Sequence, residues 1–122
     1  MNIRTTLPLL SILWAFAGCE EPEPASERTE RCQAMCALIA CDGGEVGPDQ
    51  IGGCTQRCLD KWDATEEQSV ECSTAYGRSV ECFSALECTE FLAWDSGDAS
   101  VCREPLTAFE TECPGMAFDF RQ

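Results

Sequence analysis

Eleven cysteines in a chain of 122 residues are the side chains best placed to do chemistry, and no histidine accompanies them. Thiols at that density can pair as disulfides, hold a metal, exchange electrons or take a covalent lipid. Zinc-binding and redox-active cysteines usually stand two residues apart, often with histidine nearby, and no CxxC spacing occurs here. The lack of histidine also removes the Ser-His-Asp and Cys-His arrangements of nucleophilic catalysis. Carboxylate pairs exist, Glu66 with Glu67 and Asp95 with Asp98, but nothing around them in sequence isolates them in the apolar setting that would split their pKa values. Lys61, the only lysine, sits near Asp60 and Asp63 and reads as a solvated surface charge. Neither Asp42-Gly43-Gly44-Glu45 nor Asp95-Ser96-Gly97-Asp98 follows the alternating oxygen ligands of an EF-hand loop. The expectation is a non-enzymatic protein with no metal and no cofactor, its cysteines structural.

Two cysteine pairs share one spacing, Cys32-x3-Cys36 and Cys54-x3-Cys58. Four residues advance about one helical turn, so the two thiols of each pair face the same way. Two such helices joined by a tight loop run antiparallel, which sets Cys32 opposite Cys58 and Cys36 opposite Cys54. Cys72-x9-Cys82 and Cys102-x10-Cys113 form a second near-matched set, each spanning about three turns. Antiparallel packing sets Cys72 against Cys113 and Cys82 against Cys102, and leaves Cys41 for Cys88. An alternative links Cys41 to Cys82 and Cys88 to Cys102, and sequence alone does not choose among the connectivities open to ten cysteines.

Disulfides call for an oxidising compartment, so an export signal is expected. Residues 1–18 read as one: Arg4 in a short n-region, an apolar run from Leu7 to Phe16, then Ala17 and Gly18. That run falls well short of the roughly 20 residues a membrane-spanning helix needs. The stretch Phe16-Ala17-Gly18-Cys19 resembles the lipobox of bacterial lipoproteins, departing from it at Phe16, where Leu is usual. The resemblance implies acylation of Cys19 and cleavage just before it. Glu20 stands where Asp would imply inner-membrane retention in some bacteria, which favours the outer membrane. The competing reading is ordinary cleavage after Ala17, because Ala15-Phe16-Ala17 also fits the A-x-A pattern. Parity separates them, since a lipidated Cys19 leaves an even set of ten cysteines to pair.

Three segments follow from this reading: a signal peptide over 1–18, an acidic proline-containing disordered tether over 19–30, and a cysteine-rich helical domain over 31–122. Within the domain, Cys32, Met35, Cys36 and Ile39 mark one face of a first helix running to about Cys41. Residues 41–50, rich in Gly and Pro, read as a loop. A second helix carries Cys54, Cys58, Leu59 and Trp62 and ends near Asp63. Thr65 and Gln68 make a capping box for a third helix of about twenty residues, with the stripe Cys72, Tyr76, Ser79, Val80, Phe83 and Leu86. A short helix spans Glu90 to Trp94, and a last one Glu104 to Glu112, because Pro105 is tolerated only near a helix start. The tail after Cys113-Pro114-Gly115 either packs Phe118 and Phe120 on the core or frays. Trp62, Trp94 and Phe91 are core residues by their spacing, with a recognition patch as the sharper alternative.

The hairpin spanning residues 32–58 resembles the paired CX3C helical hairpins of small oxidised proteins such as the α-hairpinins, and the general layout resembles small cysteine-rich bacterial lipoproteins. Neither resemblance carries functional residues across. The fold expected is an all-α, small disulfide-rich bundle of three to four short helices. The function expected is a binding or envelope-structural module on a lipid anchor, with an unknown protein or small ligand as partner. The alternatives are a soluble secreted effector or inhibitor, and a metal-binding protein. Net charge is −14, and Arg4 is the only charged residue of the first eighteen, so the exported chain is more acidic still. Such a surface repels nucleic acid and anionic head groups.

Overall fold

Helix α1 covers Ala25–Cys36 in the computed structural model of the protein, which describes residues 25–120. The signal segment, Cys19 and the first part of the tether lie outside the described residues. The rest of the tether is a correction, because residues 25–30 are helical. Arg28 explains why: its guanidinium lies 4.8 Å from the centre of the Trp62 ring and pairs with Glu66. Composition marks this stretch as unable to bury itself, but one long side chain laid across an indole supplies tertiary support.

The first helix does not continue as α-helix to Cys41. A tighter 3-10 turn over Ala37–Asp42 follows, burying Leu38 and closing at Gly43, whose φ of 82° is the left-handed conformation glycine adopts without cost. Helix α2, Pro48–Gln68, starts inside the expected loop and ends five residues beyond Asp63. Pro48 occupies the first helical position, where its missing N–H would be unpaired anyway. The Gln50 side chain reaches back to accept from the Gly47 N–H at 3.2 Å.

The expected capping box at Thr65 is likewise corrected. Thr65 is fully buried inside α2, its hydroxyl donating to the Trp62 carbonyl at 2.6 Å. The cap of α3 (Val70–Ser84) is Ser69, whose side chain accepts from the Cys72 N–H at 3.0 Å. Helix α3 buries Cys72, Ala75, Tyr76, Ser79, Val80 and Phe83. It stops at Ser84 rather than running on to Cys88, because Ala85 turns its N–H onto the Cys82 and Phe83 carbonyls. Helix α4, Cys88–Asp95, begins where the Glu90 carboxylate accepts from the Glu87 N–H at 3.1 Å. Helix α5 covers Arg103–Glu112. The fold is the expected all-α, disulfide-rich bundle, with five α-helices among the described residues, one more than the upper count expected, and no strand among them.

Helices α1 and α2 form a disulfide-bonded hairpin, α3 packs against both, and α5 lies on α3, while α4 sits beside the 3-10 turn. Aromatic side chains fill the space between them. Phe83 meets Trp94 edge-on with centroids 4.7 Å apart and lies 4.9 Å from Phe118; Tyr76 lies 5.7 Å from both Trp62 and Phe109. Trp62 and Phe91 are buried, and Trp94 is half-buried against Phe83, so these three rings serve the core. The tail also packs, with Phe120 buried and Phe118 against Tyr76, Phe83 and Phe109.

Candidate functional site

All ten cysteines of the described residues are bonded in five pairs. Cys32 joins Cys58 and Cys36 joins Cys54, each with Cα atoms 5.8 Å apart, so the two CX3C turns face one another in register. Cys72 joins Cys113 at a Cα separation of 5.0 Å and ties α3 to the end of α5. Cys82 joins Cys102 at 6.0 Å, and Cys41 joins Cys88 at 5.2 Å. The structure thus has Cys41–Cys88 and Cys82–Cys102 in place of the alternative Cys41–Cys82 and Cys88–Cys102. The six cysteines of the first three bonds are buried, whereas Cys41, Cys82 and Cys102 are half-buried and Cys88 is exposed. Cys102 is also the only non-glycine residue with a left-handed backbone among the described residues, at φ 50°. A bonded cysteine in that region is held there by the cross-link to α3, against a modest steric cost.

Lys61 is the residue whose role differs most from its sequence reading. Instead of standing in solvent, its ammonium donates to the Ala117 carbonyl at 2.7 Å and to the Asp119 carbonyl at 3.3 Å. Burial pushes its pKa below the ordinary lysine value, and the nearby Asp119 charge opposes that shift. A lysine beside two aspartates in sequence offers no hint that a chain end nearly sixty residues later will return to it. The tail it holds carries Phe118 and Phe120 into the aromatic core.

The acidic candidates sit on the surface. Glu66 is taken up by Arg28, and Glu67, Asp95 and Asp98 are exposed. Asp98 is held below the usual carboxylate range by hydrogen bonds from the Ser100 hydroxyl and, secondarily, the Ser100 N–H, so it orders a turn rather than poising a base. Burial pushes the Tyr76 phenol well above its ordinary value while its hydroxyl donates to the Cys58 carbonyl at 3.3 Å. Asp42, Asp49 and Asp95 line a cavity of about 450 Å³ with Arg57 among them. No three of the described His, Cys, Asp or Glu side chains, these aspartates included, are placed to hold a metal ion together.

A second cavity, of about 280 Å³, lies where α1, α2 and α3 meet and is lined by Arg28, Arg31, Trp62, Ser73, Arg78 and Glu81. It gathers cationic side chains from two helices onto an aromatic wall, an arrangement invisible in a sequence where those arginines are scattered. Large exposed apolar side chains are confined to Val70 and Leu92, which are too few to make a hydrophobic docking patch among the described residues. No described helix is long and apolar enough to cross a membrane. Comparison with known proteins finds no matching family model, no matching curated protein and no matching solved structure.

Proposed function

We propose that this is a lipid-anchored extracytoplasmic protein of the bacterial envelope, with a small disulfide-bonded helical domain that works by binding. The observation that carries the reading is the arithmetic of the thiols. Every cysteine from Cys32 onward has a partner within the domain, and the one left over is Cys19, directly after the small residues Ala17 and Gly18. A single unpaired thiol in an oxidising compartment invites unwanted exchange, and acylation removes that hazard. A diacylglycerol with an amide-linked third chain also exceeds the single acyl chain that gives only marginal membrane affinity. The buried, bonded cysteines and the surface placement of the carboxylates favour binding over catalysis.

Mass spectrometry of the mature N-terminus tests this. An acylated Cys19 as the first residue is expected, with Cys19→Ala abolishing both acylation and membrane retention. A mature chain beginning at Gly18 supports the second reading, a soluble secreted effector or inhibitor, which Ala15-Phe16-Ala17 favours. Alkylation without reductant should leave the intact mass of the domain unchanged. Labelling of several thiols would instead support metal binding.

A further inference from the structure

The chain carries eight basic residues against 22 acidic ones, yet three of the eight, Arg28, Arg31 and Arg78, line one cleft between α1, α2 and α3. Two of them have unmet capacity. The Nε of Arg28 is buried with no hydrogen-bond acceptor, although its guanidinium lies over the Trp62 ring and a terminal nitrogen pairs with Glu66. A charged donor shut away from water without an acceptor is disfavoured until something supplies one. The Arg78 side chain has no ion pair or hydrogen bond among the described residues, and the acidic side chain lining the cleft, Glu81, lies 3.9 Å from Arg31 on α1. The walls stand close together: a Cβ added at Gly77 would lie 3.0 Å from Trp62 Cζ2, so any larger residue there would press on the indole.

We infer that this cleft is an oxyanion-binding site, taking the carboxylate or phosphate of a small ligand on Arg78 and the Arg28 guanidinium beside the Trp62 ring. Guanidinium forks match such groups in geometry as well as charge. The strongly acidic exterior limits the ligand, since a polyanion or an extended anionic surface is repelled before it reaches three arginines. A small mono- or dianion carries fewer charges into that field and is repelled far less. The same chemistry has two sources: an external acid, or the chain's own Glu20, Glu21 and Glu23, a few residues ahead of α1.

The exported chain, uniformly labelled with nitrogen-15 in neutral detergent, is titrated with succinate and separately with inorganic phosphate, at constant ionic strength made up with chloride. The arginine Nε–H signals are followed. Those of Arg28 and Arg78 should move along saturable curves while those of Arg57 and Arg103 stay in place. Arg78→Gln, a helix-compatible change at an exposed position, should weaken the apparent affinity by about tenfold or more, the worth of one charge-assisted contact. A silent native chain that becomes responsive once Glu20, Glu21 and Glu23 are all changed to Gln also supports the site and identifies its own segment as the occupant. Equal, unsaturable drift of all arginines in both chains overturns the proposal, as does Arg78→Gln binding as tightly as the unsubstituted chain.

Discussion

Two regions of the molecule are built in opposite ways. In the hairpin, α1 and α2 are clamped by Cys32–Cys58 and Cys36–Cys54, four buried half-cystines close in sequence and regular in spacing. In the second half of the chain, the partly exposed Cys41–Cys88 bond ties α4 back across a 47-residue separation, and the core is sealed by a tail that returns to Lys61 on α2 and inserts Phe118 and Phe120. Loop entropy alone ranks the two regions' bonds in an unexpected order: about 3 kcal/mol for Cys36–Cys54 and about 4 for Cys41–Cys88. The difference is under about 1 kcal/mol, however, and removing two buried sulfurs adds a packing loss of comparable or larger size. Burial, not loop length, should therefore decide which bond matters more.

That conclusion breaks most directly by removing the bonds. Cys36→Ala with Cys54→Ala should cost about 5 kcal/mol and Cys41→Ala with Cys88→Ala about 3 to 4, read by denaturant unfolding. The reverse order would make chain entropy the governing effect. Under limited reductant, peptide mapping should find Cys41–Cys88 opened first, since a thiolate must reach the sulfur it attacks.

The tail gives the next effect. Phe120→Ala empties a buried site held on an irregular segment rather than a helix, which can collapse into part of the space, so a loss of about 2 to 3 kcal/mol is expected, below the usual 3 to 5 for an interior phenylalanine. A loss under half of that would mean the tail only covers the core.

Tyr76 tests the hairpin side through pH. Its folded pKa is raised above the ordinary 10.0, so the neutral phenol is favoured by folding, and that contribution is complete below pH 10.0. Above it, the unfolded chain loses a proton the folded one keeps, and stability should fall by up to about 1.4 kcal/mol per pH unit until the folded value is reached. Tyr76→Phe should flatten this slope. Because the chain has one tyrosine, phenolate absorbance reports the titration directly.

The smallest change is at the clamp. Lys61→Met keeps the aliphatic stem and removes the two hydrogen bonds to the tail, costing about 1 kcal/mol and raising amide exchange over residues 116–120. Equal exchange in both chains would assign the hold to the phenylalanines alone.

Local spacing carried much of the architecture. The CX3C turns state their own facing, and the α3 stripe from Cys72 to Phe83 is plain helical periodicity. Helix ends were less legible, because Thr65 and Ser69 are both chemically suitable caps and burial of Thr65 within the last turns of α2 decides between them. Pro48 reads equally as loop breaker or helix starter until the chain before it is placed.

By itself the sequence determined the all-helical class, the abundance and parity of its cysteines, the absence of histidine chemistry and the acidity of its surface. These depend on residue type and on neighbours within a turn or two. Only the tertiary structure decided that Lys61 holds the tail, that Arg28 makes residues 25–30 helical, and that arginines fifty residues apart share one cleft beside Trp62. Each of those is a contact between distant segments, and its energy exists only once packing has brought them together.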